Sequence, residues 1–203
     1  MATNSPKEQK HTLASITLVL LMFGTLAALA AIPVQSFEAV RSAEQTQIRE
    51  WLGPETDQWI MLKIFEWLQW VNSEAASALE SSQVTGHAKI DGWLVQRVHA
   101  ILIWCHVVLY RAGFLLMWGG FAIPVIAAAF MDAHYQREIS KATFRSQSPV
   151  MHKYGIDASK ITVIALIAWL FIPAYITMFV APSAMLLVAF AGWVWISNKQ
   201  KRL

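Results

Sequence analysis

The chain has 203 residues, of which 56% are hydrophobic and 14% charged, with a formal net charge of +3. Soluble domains carry about a quarter of their residues as charges, so the composition argues against a soluble domain, and the single cysteine, Cys105, excludes an intrachain disulfide. Residues 11–37, 112–131 and 161–198 contain no Asp, Glu, Lys or Arg. A hydrocarbon core needs roughly 20 apolar helical residues to cross it, and each stretch is that long. The expected fold is an all-α integral membrane protein with about four transmembrane helices and a helical extracytoplasmic insert.

Residues 1–12 carry Lys7 and Lys10 against Glu8 and read as a cytoplasmic N-terminus. Residues 13–34 read as the first transmembrane helix. Small residues at its end (Ala27, Ala28, Ala30, Ala31) resemble a signal-peptide cleavage region, but the uncharged run is longer than an ordinary signal core, so a retained anchor is expected.

Residues 35–111 read as an extracytoplasmic amphipathic insert with a lead-in helix. Between Glu38 and Asp91 the acids outnumber the bases Arg41, Arg49, Lys63 and Lys89. Gly53-Pro54 divides the insert into two helical pieces, the second starting near Thr56 as N-cap with Asp57 in its first turn. Ile60, Ile64, Trp67, Leu68, Val71, Ala75, Ala78 and Leu79 then recur at helical spacing. Trp59, Trp67 and Trp70, with Trp51, form an aromatic surface. It suits the membrane interface, a neighbouring helix, or an oligomer or partner contact. The apolar segment 98–110, held between Arg97 and Arg111, is too short to cross alone and reads as the lead-in to the second crossing. His99 and His106, seven apart, share a helix face. No carboxylate accompanies them in that stretch, so packed histidines are expected and no metal site. Arg97 and Arg111 are expected to snorkel to headgroups or to pair with an outside carboxylate.

The second transmembrane helix is expected over 112–131, with Gly119, Gly120 and Pro124 as helix-packing residues at mid-crossing. The segment 132–160 follows as a basic cytoplasmic loop. Its helical start carries Arg137, Lys141 and Arg145 at i, i+4 and i+8, a stripe for lipid headgroups or for an acidic partner. Residues 161–198 would reach roughly 57 Å as one helix. A turn at Pro182-Ser183 is therefore expected, separating a third transmembrane helix (161–180) from a short fourth helix or re-entrant segment (183–197). The tail, 198–203, holds Lys199, Lys201 and Arg202 and is expected in the cytoplasm.

Tyr110-Arg111, the mid-helix Pro124, Asp132, Arg137-Glu138-Ile139, the serines Ser146 and Ser148, and His152-Lys153 form one further pattern. It resembles the integrating conjugative element membrane protein family, the TraJ-type proteins of H-plasmid and SXT-type conjugation systems. The likeness covers residues 110–154, and Ala133 stands where that family commonly has glycine after the aspartate. The resemblance implies an inner-membrane component of a conjugative, type IV secretion-like DNA transfer apparatus, partnering a coupling ATPase of TraD/TraG type. It implies no catalytic residue. No cofactor and no direct nucleic-acid binding are expected, while membrane lipids and a second copy of the chain are expected contacts. An exclusion or immunity-type membrane protein and a small transporter or channel are the alternatives. An intramembrane enzyme is disfavoured because no nucleophile–base pairing is found.

Overall fold

The computed structural model describes residues 6–82, 88–143 and 148–199. They form six helices: α1 (Pro6–Ala31), α2 (Val34–Leu52), α3 (Pro54–Ser82), α4 (Ala88–Ala142), α5 (Pro149–Phe171) and α6 (Val180–Ser197). Among the described residues there is no strand. Among the described residues three helical segments, Asp91–Ala142, Pro149–Phe171 and Val180–Ser197, are long and apolar enough to cross a membrane, and the number is four if the bent pair at α1–α2 is counted as one span. The chain packs as two compact units, Met1–Tyr110 with Phe171–Tyr175, and Arg111–Leu170 with Ile176–Leu203.

In the first unit, α1 stops before Pro33. A proline disfavours helical geometry at the residue before it, and the chain turns by 113° between Val19–Ala31 and Val34–Leu52. A single residue, Gly53, joins α2 to α3. Its φ of 87° is one that side chains rarely adopt, and its N–H donates to the Arg49 carbonyl (3.1 Å). Pro54 then opens α3 at a position where its missing N–H costs nothing. The second piece therefore begins earlier than the expected Thr56 cap. The Thr56 hydroxyl instead donates back to the Leu52 carbonyl (2.9 Å).

Arg49 meets Asp57 and Gln45 meets Met61, so α2 and α3 run antiparallel. Glu38 faces His99 and Gln45 faces His106, both at an offset of 61 residues, so α2 and the first part of α4 run parallel in constant register. Ala100, Ile103, Val107 and Tyr110 are buried at three- and four-residue spacing along α4. Phe37, Glu44 and Ile48 on α2 and Asp57, Ile60 and Ile64 on α3 are buried as well. Leu29 of α1 joins Phe37, Ala100 and Ile103 in one apolar cluster, against which Ile32, Val34 and Trp104 pack. Burying each Phe or Ile away from water stabilises by about 1.5–3 kcal/mol. The apolar stripe of α3 is as expected at Ile60 and Ile64, but Trp67 leaves it and is 62% exposed. Asp57 is buried on the same side as the two isoleucines. Ala78 and Leu79, the end of that stripe, lie outside the residues whose side chains are described.

In the second unit, Ser148 precedes Pro149, and its hydroxyl accepts from the Met151 N–H (3.4 Å), an N-cap with proline in the first helical position. The apolar run 161–198 breaks earlier than expected, over residues 172–179 around Pro173. Pro173 lies where continuing the helix would require an N–H. Pro182 falls in the first turn of α6, where the N–H groups have no intrahelical acceptor, so it is accommodated inside the helix rather than ending one.

Close helix approach is also displaced from the expected positions. A Cβ at Gly119 or Gly120 would meet nothing within 4 Å, and Pro124 is exposed on the helix surface. At Gly155 a Cβ would lie 2.6 Å from the Trp195 backbone nitrogen and 2.8 Å from the Ala191 carbonyl oxygen. At Gly192 it would strike the ring of Phe130. Backbone-to-backbone contact of α5 and α6 therefore depends on Gly155, and the buried Ala181, Ala184 and Ala191 carry small residues along α6.

Gly155→Ala is expected to destabilise the protein by about 1–3 kcal/mol, because backbone atoms must move. Gly119→Ala should be neutral or stabilise by up to about 1 kcal/mol, since it replaces an unpacked helical glycine. Thermal unfolding of both variants in the same detergent checks the contrast; equal midpoints would contradict the α5–α6 packing.

Candidate functional site

The most concentrated polar chemistry lies in the first unit, at the joint between α2 and α3. Asp57 is 3% exposed. Its Oδ2 accepts from Arg49 Nε (2.6 Å) and its Oδ1 from the Tyr110 hydroxyl (2.7 Å). A buried carboxylate is stable only when paired and hydrogen-bonded, and here each oxygen has a donor from a different helix. The position also suits an anion, since Asp57 stands in the first turn of α3, the positive end of the helix dipole. Glu44 is buried on α2, and Gln45 hydrogen-bonds His106 (3.3 Å). With both carboxylate oxygens engaged, this arrangement does not present Asp57 as a general base. It ties α2, α3 and α4 together.

The two arginines that bracket the lead-in segment serve helix ends. Arg97 Nη1 donates to the carbonyls of Leu29 (2.9 Å), Ala30 (3.0 Å) and Ile32 (3.0 Å), capping the C-terminus of α1. Its guanidinium also lies 5.9 Å from the centre of the Trp93 ring. Arg111 is fully buried, which rules out snorkelling, and donates to the carbonyl of Trp169 at the end of α5 while stacking 5.3 Å over that residue's indole. Carbonyls at the end of an apolar helix have no water to turn to, so a multi-donor cation is a strong solution.

His99 and His106 do share a face, as their spacing predicts, and they meet α2 side chains that are themselves seven apart. His99 Nε2 lies 3.6 Å from Glu38 Oε1, while His106 faces Gln45. Cys105 is half-buried. Among the described residues no group of three metal-ligating side chains is found.

On α3, Trp59, Trp67 and Trp70 are all exposed, with Lys63 lying 5.8 Å over the Trp59 ring. In the second unit, α4 continues without a break past Asp132, whose carboxylate accepts from Trp193 Nε1 (2.6 Å), and presents Arg137 and Lys141. Lys141 pairs with Glu138 one turn back, and the Arg137 Nε is buried without a hydrogen bond to the described residues. Arg145, third in the stripe, lies outside the described residues.

Sequence reasoning named Asp57 only as a first-turn acid and did not single out Arg49, Glu44 or Tyr110 as a cluster. The signal that was present is the run Ala100, Ile103, Val107, Tyr110, Phe114, whose three-and-four spacing continues to Tyr110 and beyond the boundary drawn at Arg111.

Tyr110→Phe is expected to cost about 1.5–3 kcal/mol, the range for a hydrogen bond to a charged group. Asp57→Asn should weaken both of its contacts. In a double-mutant cycle the two changes should be markedly non-additive. Additive losses in chemical denaturation would show that Tyr110 and Asp57 are not coupled.

Comparison with family models, with curated proteins and with solved structures finds no match for this chain.

Proposed function

We propose that this chain is a non-enzymatic, multi-pass component of a bacterial inner membrane that positions a cytoplasmic partner of a conjugative DNA transfer apparatus, the coupling ATPase. The observation that carries the reading is the continuation of α4. The helix does not end with its apolar segment but runs to Ala142, so that Arg137 and Lys141 stand on a helical extension rather than a loop. A helical scaffold holds charges in fixed register, which favours docking over diffuse attraction. The choice of conjugation comes from the resemblance of residues 110–154 to the integrating conjugative element membrane proteins.

In this reading both termini and residues 132–160 are cytoplasmic and 38–91 lie outside, following the rule that basic flanks stay inside. The crossings are α1, the 112–131 part of α4, α5 and α6. The exposed apolar side chains on these helices, among them Leu20, Phe23, Leu116, Phe121 and Phe190, face lipid. Cysteines placed at Ser81 and Ser146 in a Cys105→Ser background test the topology. An impermeant reagent should label position 81 in intact cells and spare 146, and labelling of 146 would overturn the arrangement.

The partner reading is tested by changing Arg137, Lys141 and Arg145 together to Gln and recovering the coupling ATPase at matched membrane levels. Exposed charge contacts contribute up to about 1 kcal/mol each. Loss of three should therefore weaken association by roughly tenfold to a hundredfold, with membrane insertion intact because the apolar helices hold the chain. Equal recovery would falsify docking and leave the stripe as headgroup contact.

A further inference from the structure

The middle of α3 is apolar on both of its sides. Between Trp59 and Val71 the only charges are Lys63 and Glu66. Ile60 and Ile64 are buried, while Trp59, Leu62, Phe65, Trp67 and Trp70 are exposed, Leu62 by 75%. A helix that is apolar all round needs apolar surroundings on its second side as well. We infer that this exposed face of α3 lies on the outer surface of the lipid bilayer, as an interfacial helix. The inference takes α1 as a crossing, as in the topology above, and is independent of the partner reading.

Three observations select lipid over a protein occupant. The first is register. Asp57 bonds Tyr110, and Gln45 bonds both Met61 and His106, so α3 runs antiparallel to the first part of α4. Asp57 to Trp70 on α3 and Tyr110 to Arg97 on α4 cover the same number of residues, which brings Trp70 level with the arginine that caps α1. Trp67 and Trp70 thus stand level with the point where α1 leaves the bilayer, and Trp93, exposed beside Arg97, adds a third indole. Tryptophan prefers that membrane–water boundary. The second is direction. The chain turns by 113° between Val19–Ala31 and Val34–Leu52, so with α1 upright in the bilayer α2 and the antiparallel α3 lie close to the membrane plane. The third is the form of the face. At 100° per residue, Phe65, Leu62, Trp59, Trp70 and Trp67 spread over more than half of the helix circumference. A protein interface sets its aromatic anchors inside a polar rim, and this face has none along its flanks. The apolar band from Trp59 to Val71 is about 20 Å long, too short to cross a hydrocarbon core of about 30 Å. It therefore lies on the bilayer, at a depth where Lys63 and Glu66 stay among headgroups. The Lys63 ammonium, 5.8 Å over the Trp59 ring, can rest its stem on the indole and reach a phosphate. Glu55 and Glu74 stand at either end of the band, so the contact has no need of anionic lipid.

The test places nitroxide labels on α3 of the full chain, one chain in each phosphatidylcholine nanodisc. The labelled variants are Leu62→Cys, Phe65→Cys and Ser77→Cys in a Cys105→Ser background. Leu62 and Phe65 are exposed, so the labels displace no packing. Ser77 is exposed on the same side as Trp59 and lies beyond the apolar band. Paramagnetic resonance then reads collisions with oxygen, which concentrates in lipid, and with a water-soluble nickel chelate. Positions 62 and 65 should collide with oxygen and lose most of their collisions with the chelate, while position 77 should meet the chelate freely. Chelate collisions at 62 and 65 equal to those at 77 would place the face in water and overturn the inference. Immobilised labels that meet neither reagent would show cover by protein and overturn it too. So would shielding that arises only when two chains share a disc, since that assigns the face to a second copy. The labels report lipid from either side of the membrane, so a reversed topology would leave their result readable.

Discussion

The ends of apolar helices set the hardest constraint on this chain. The last four carbonyls of a helix have no partner within it, and in lipid or packed protein there is no water to take them. α4 answers at two places along its length, with Arg97 at the end of α1 and Arg111 at the end of α5. A lysine could not do the same as well. A guanidinium offers five donors in a fixed plane and stacks on indole, as Arg111 does on Trp169. These arginines fix where α1 and α5 stop within their own units, and the sharp turn after Ala31 is tolerable because its carbonyls are already satisfied.

The second organising element is the carboxylate of Asp57. A buried charge is stabilising only as part of a satisfied set, and Arg49 and Tyr110 complete that set from the two neighbouring helices. The apolar cluster of Leu29, Phe37, Ala100 and Ile103 supplies non-directional cohesion at the other end of the same packing. Apolar contacts tolerate sliding, whereas the Asp57 contacts do not. The constant offset between α2 and α4, seen at Glu38–His99 and Gln45–His106, is the geometry expected where polar pairs define register.

Much of the helical organisation could be read from the residues themselves. Uncharged length marked the apolar helices, Gly53-Pro54 marked the joint, and the seven-residue interval placed His99 and His106 on one face. What escaped was set by neighbours rather than by residue type. The acceptors for Arg97 and Arg111 are backbone carbonyls, which every residue carries, so no motif announces them. Asp57 and Tyr110 are 53 residues apart, and nothing local links them. Gly119 and Gly155 look alike in a string of apolar residues, and only the distance to Trp195 separates the open one from the packed one. Pro173 and Pro182 both interrupt one apolar run, yet one ends a helix and the other sits in a first turn, a difference of position alone.

The one-residue joint at Gly53 has a consequence for how this protein can vary. A loop of several residues absorbs insertions, because its extra length bulges into solvent. A joint of one residue has no slack, so an added residue would have to enter the helices, turning α3 by about 100° about its axis. Such a turn would carry Asp57 from between its donors and bring a tryptophan face toward α2. Related chains should therefore differ freely in side chains around this joint while keeping its length, and gaps in their alignment should fall elsewhere.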